Sequence, residues 1–119
     1  MSYAPEDKKL INFNALAAFA GDNIEFSRQL VSAFMSDLLI FEEYIKDTLT
    51  EEEFLSFRKA YHSIGPSIQM LEISELIRAV EDFKTAYSQD PATLSETAHH
   101  ISRLLQLIKE EARQWQAAS

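Results

Sequence analysis

A chain of 119 residues is long enough for one domain with one hydrophobic core. Its net charge of −8, from 11 basic and 19 acidic residues, disfavours nucleic acid, whose binding rests on Lys and Arg neutralising phosphates. The absence of cysteine excludes disulfides, zinc-thiolate sites and thiol chemistry, and no run has the apolar length of a signal-peptide core or a membrane span.

Two glycines and three prolines are few breakers, and strong helix formers dominate with little β-branched alternation. The expected class is therefore all-α. Residues 1–11 read as a loose lead-in. Asn12 or Asn14 caps a short helix with Phe13, Leu16 and Phe19 on one side, and Gly21 ends it. A second helix is predicted to start at Asp22, where Asp22 and Glu25 have the spacing of a capping box. Leu30, Phe34, Leu38, Phe41 and Ile45 form its stripe, widened by Val31, Met35 and Leu39. Continued to about Thr48, it would be roughly 40 Å long.

Thr50 and Glu53 are a second capping box, and three acids in the first turn suit the helix dipole. The central helix starts here. Phe54, Phe57, Tyr61, Ile64, Ile68 and Leu71 recur in steps of three and four. Gly65-Pro66 interrupts the pattern at a cost of ~3 kcal/mol for Pro and ~1 for Gly in a helix interior. The stripe stays in phase across the pair, which predicts a kinked but continuous helix.

Ser74 is the expected cap of a fourth helix with the stripe Leu76, Val80, Phe83 and Tyr87. After a turn at residues 88–91, a fifth helix starts from Asp90-Pro91 or from a Thr93/Glu96 capping box. Leu94, Ala98, Ile101, Leu105, Ile108, Ala112 and Trp115 line it, and residues 116–119 are expected to fray. Short loops and this spacing predict an antiparallel up-and-down four-helix bundle with a short extra N-terminal helix, one domain over residues 1–119. The expectation is a monomeric, cytoplasmic chain with no membrane insertion.

His62 is the leading candidate for chemistry. At 100° per residue it points roughly 130° from the centre of the central stripe, towards water. Arg58 and Lys59 precede it, and it stands beside the costly Gly65-Pro66 pair, a local rule-breaking of the kind that marks function. Leu55, Arg58, Gly65 and Gln69 share its face, with Leu55 an apolar anchor for docking and Gly65 leaving room for approach. A neutral imidazole, the main form at pH 7 for the ordinary pKa near ~6.5, is a nucleophile. His99 and His100 diverge from each other and read as solvated. Glu42, Glu43, Asp47 and Glu51 to Glu53 read as a solvated acidic end, since no loop of calcium-binding spacing is present. The Phe, Tyr and Met positions read as core.

Residues 58–67, Arg-Lys-Ala-Tyr-His-Ser-Ile-Gly-Pro-Ser, continuing to Leu76 and Glu81, resemble the signature of histidine-containing phosphotransfer (HPt) domains. That signature is a small residue two before the histidine, then His, two residues, Lys, Gly or Pro, and Ser. Residues 12–22 and 26–45 are similar to the family's short first helix and its second helix. The resemblance implies a four-helix bundle that relays phosphoryl groups in two-component signalling. His62 would accept a phosphoryl group from the aspartate of a response-regulator receiver domain and pass it to another receiver. Leu55, Arg58, Lys59, Gly65, Pro66, Ser67 and Gln69 would support or dock. Such a domain is a phosphocarrier without catalytic turnover of its own. It carries no cofactor, because the magnesium belongs to the receiver, and its partners are receivers and a hybrid histidine kinase.

The sequence departs from the pattern at two places. Gly65 stands where the family has Lys, three residues after the histidine, and Leu71 where it has Gly. The lost lysine removes a cation near the phosphoryl group, for which Arg58 is the best substitute and Lys59 the second. A second reading follows: an HPt-like bundle that binds a receiver without carrying phosphate.

Overall fold

The computed structural model describes residues 9–118, and among these there are five α-helices and no strand. In chain order they are α1 (Phe13–Phe19), α2 (Ile24–Glu42), α3 (Glu51–Met70), α4 (Ser74–Gln89) and α5 (Leu94–Ala118), with a 3₁₀ turn at Pro91–Thr93. The chain is all-α, as its composition predicts. Each of α2, α3 and α4 packs on the next helix, α5 returns against α2, and α1 lies against α2 and α3.

Helix α3 begins at the expected cap. Thr50 Oγ1 accepts from the Glu53 N–H at 3.1 Å and Glu53 Oε1 accepts from the Thr50 N–H at 2.9 Å. The Thr50 N–H and then Lys46 hold the Glu53 carboxyl below the usual carboxylate range. This cap therefore acts at full strength above that range and weakens as pH falls through the lowered value. The helix then runs through Gly65-Pro66 without a break. Pro66 has no N–H for the His62 carbonyl, so the chain gives up one helical bond beside the histidine. What keeps the helix whole is burial on both sides of the defect, by Phe57, Ile64 and Ile68.

Phe57 is wholly buried and is the hub of the aromatic core. Its ring centroid lies 4.8 Å from Phe83 of α4, tilted at 60°, and 5.7 Å from Phe41 of α2. Phe54 stacks on Tyr87 of α4 at 3.9 Å. Leu76, Val80, Ile101, Leu105 and Ile108 complete the centre, on the stripes expected of α4 and α5.

Several boundaries differ from the sequence reading. Helix α2 ends at Glu42, well short of Thr48. Past it the N–H groups of Glu43, Tyr44 and Ile45 donate to carbonyls three residues back, which tightens the chain into a turn. Glu42 itself is held by α5, through Lys109 at 2.9 Å and Gln106 at 3.0 Å. The cap of α2 is Asn23, whose Oδ1 accepts from the Phe26 N–H. Asp22 cannot serve, because with Gly21 it forms a left-handed turn, at φ of 61° and 64°. Ser74 does not cap α4 either. Buried Ile73 occupies that position, so burial sets the start of the helix where no side-chain cap is present. Thr93 makes no box with Glu96 but donates its hydroxyl to the Asp90 carbonyl inside the 3₁₀ turn.

Near both ends of the described residues the chain is held by specific contacts. The Glu111 carboxylate accepts from the N–H groups of Leu10 and Ile11, and Ile11 is buried. Asn12 caps α1 and donates from Nδ2 to Glu72 in the α3–α4 turn. At the other end α5 continues to Ala118, with Phe13 stacked on Trp115 at 5.5 Å and Gln116 donating to Ser32 Oγ. The rest of the expected lead-in, residues 1–8, and Ser119 lie outside the described residues.

Gly65 has helical backbone, and a Cβ built on it meets nothing within 4 Å. Gly65→Ala should therefore raise the free energy of unfolding by about 1 kcal/mol in urea titrations. A decrease would mean that the glycine answers a packing constraint.

Candidate functional site

The rotation of α3 decides what this site contains. With Phe57, Ile64 and Ile68 turned inward, His62 and its neighbours one turn away on either side turn outward. His62, Arg58, Lys59 and Gln69 are exposed, and Leu55 is exposed to 49%.

His62 lines a shallow depression of about 680 Å³ together with Leu55, Arg58, Lys59, Gly65, Pro66 and Gln69. Seven of the eight residues singled out in the sequence thus share one surface. Ser67 is the exception, half-buried and outside the depression. Two further residues line it, Tyr61 and Lys84. Tyr61 sits on the stripe and was expected to be core; it is half-buried, with its ring tilted against Phe41 and one edge at the site.

Lys84 is the contribution that reading α3 alone misses, because it comes from α4. Its Nζ is 3.0 Å from Glu81 Oε2 and 5.7 Å from the centroid of the Tyr61 ring. It follows Phe83 and precedes Tyr87 by one turn, so it flanks the stripe of α4 on the side that packs against α3. That flanking position is the signal from which it could have been found.

The electrostatics are one-sided. Arg58, Lys59 and Lys84 line the depression and no carboxylate does, in a chain of net charge −8. Glu81 borders it through its pair with Lys84. Burial first, and then the Glu81 carboxylate, push the Tyr61 phenol above its usual range. The arrangement offers a nucleophilic ring to solvent, cations for an anion, and an apolar rim at Leu55 and Pro66.

The other candidates stay apart from this surface. His99 and His100 are exposed on α5, with His99 Nε2 3.5 Å from Asp47. The acidic end is divided among partners: Glu42 faces Lys109, and Glu53 faces Lys46 and its cap. Among the described residues no cluster of three or more His, Asp or Glu is placed to hold a metal ion. No helix there is long and apolar enough to cross a membrane.

The expected core reading fails for Phe19, exposed to 60%, and for Phe26; the two stack on each other at 6.5 Å at the α1–α2 turn. Leu39, expected to widen the stripe of α2, is exposed to 54%. Searched against protein-family models, curated proteins and solved structures, the chain matches none.

The raised Tyr61 ionisation can be checked by NMR. Tyr61 should titrate above the ~10 of free tyrosine, and Glu81→Gln should bring it part of the way back. Its stabilising effect is full below that ordinary value and lost as pH rises through the raised one. An unchanged titration in Glu81→Gln would remove the carboxylate as a cause.

Proposed function

We propose that this chain is a phosphorelay intermediate of the HPt type, in which His62 accepts a phosphoryl group from a receiver-domain aspartate and passes it to another receiver. The observation that carries this reading is the surroundings of His62: an outward-facing imidazole in a depression lined by three cations and no carboxylate, on an acidic protein. The HPt-like signature at residues 58–67 supports it.

In this reading the long helices form an antiparallel up-and-down bundle, to which α1 is the short addition. The packing of each long helix on the next, and of α5 on α2, supports that arrangement. The protein works in the cytoplasm as a monomer, with receivers and a hybrid kinase as partners.

The step is an in-line displacement. The lone pair of a neutral ring nitrogen attacks phosphorus, an N–P bond forms, and the P–O bond to the aspartyl carboxylate breaks, its electron pair leaving with the carboxylate. The receiver contributes magnesium. This chain contributes a positioned nucleophile, positive charge for the phosphoryl oxygens, and a docking rim. Leu55 is the apolar anchor of the rim, and Arg58 and Lys59 complement the receiver's acidic pocket.

Gly65, in place of the family's lysine, favours the second reading, a bundle that binds a receiver without carrying phosphate. Incubation with a phosphorylated receiver separates the two. The relay predicts acid-labile, base-stable phosphate on the wild type and none on His62→Gln. Equal labelling of both proteins sinks the relay through His62. Receiver binding that survives His62→Ala, with no phosphohistidine on the wild type, supports the second reading.

A Cβ at residue 65 meets nothing within 4 Å, so Gly65→Lys introduces no clash at its first carbon. It should leave the transfer rate unchanged or raise it. A large loss would show that the glycine is needed for close approach of the receiver.

A further inference from the structure

The cations around His62 are not equivalent. Arg58 and Lys59 are exposed on α3, and a long, free side chain loses much rotamer freedom when it grips a ligand. Lys84 is already partly ordered. Its side chain is exposed to only 32%, its ammonium is paired with Glu81, and it stands over the ring of Tyr61, the residue next to His62. It reaches the depression from α4, across the helix interface that Phe57 and Phe83 lock at 4.8 Å. Gly65 lines the same depression and brings no side chain to it.

We propose that Lys84 is the cation that holds the phosphoryl group on His62, supplied from the neighbouring helix. This rests on the phosphotransfer reading and goes beyond it by naming a residue outside the HPt-like stretch. As the N–P bond forms, charge spreads over the three phosphoryl oxygens. An ammonium anchored at the edge of the site neutralises them without being recruited from bulk solvent. Glu81 is a positioning residue: it keeps the ammonium at the mouth of the depression, and the more highly charged phosphoryl group competes with it for Lys84. Tyr61 attracts the ammonium of the lysine to its ring face through the cation–π contact.

Two measurements test this, one of which needs no receiver. In a His99→Gln, His100→Gln background, potassium phosphoramidate transfers a phosphoryl group to His62: the ring nitrogen displaces ammonia, an N–P bond forms and the P–N bond of the donor breaks. The second ionisation of that group is then followed by phosphorus NMR in Lys84, Lys84→Met, Lys84→Arg and Arg58→Met proteins. Methionine keeps the apolar stem and removes the charge.

The phosphoryl ionisation should move up in Lys84→Met and return in Lys84→Arg, while the thermal midpoint stays near that of the parent. Transfer from a phosphorylated receiver should slow about tenfold in Lys84→Met, with most of the rate restored by Arg. If Lys84→Met matches the parent in both measurements, or if only Arg58→Met shows the losses, the assignment is overturned. If the receiver labels no histidine in the wild type, the phosphotransfer reading falls. The phosphorus titration still decides by itself whether Lys84 holds a phosphoryl group at residue 62.

Discussion

The seating of Phe57 between Phe41 and Phe83 fixes the rotation of α3, and the make-up of the site depends on that rotation. A helix presents each residue at a set angle, so burying position 57 determines where position 62 points. Ile64 and Ile68 repeat the constraint on the far side of Gly65-Pro66. The pair removes a backbone bond and adds flexibility, yet α3 has no rotational freedom to lose, because its stripe is anchored on both sides. Local propensity is weak against that much burial. Tertiary packing holds the defect in helical form, and the defect lies beside the one histidine that faces the cationic depression.

Charge is distributed with a similar division of labour. The chain is acidic overall, and three of its carboxylates serve at a helix end or between elements. Glu53 closes a cap, Glu111 fastens Leu10 and Ile11, and Glu42 meets Lys109 between α2 and α5. Among the described residues no carboxylate lines the depression around His62, and Glu81 borders it through Lys84. The outward face of α3 around His62 is left positive. A net negative charge disfavours polyanions at long range, while a local cluster of cations favours a single compact anion at short range.

How far this was legible in the sequence depends on what each feature rests on. The stripes of α3, α4 and α5 rest on periodicity, which a sequence displays directly, so Phe57, Phe83 and Ile108 were foreseen as core and His62 as outward. The Thr50–Glu53 cap rests on two residues three apart and was equally plain. The end of α2 is not, because apolar Ile45 continues the pattern while the backbone tightens beneath it, and Glu42 is drawn to a residue 67 positions away. Asp22 and Ser74 had the chemistry of caps but the wrong backbone, set by a left-handed turn in one case and by buried Ile73 in the other. Phe19 and Phe26 depart from the core expectation because aromatic residues on a stripe carry no mark of whether a partner covers them.

The candidate site shows the same limit. Reading along α3 collects Leu55, Arg58, Lys59, Gly65, Pro66 and Gln69, since helical neighbours follow from spacing. Lys84 is 22 positions from His62 and joins the site only because α3 and α4 pack at a particular rotation. An apparent vacancy on one helix is therefore no measure of the charge at the site. A side chain anchored on the neighbouring helix can bring an ammonium to the same surface. Gly65 and Lys84 line one depression, and that shared lining is a relation that only the packed structure brings to view.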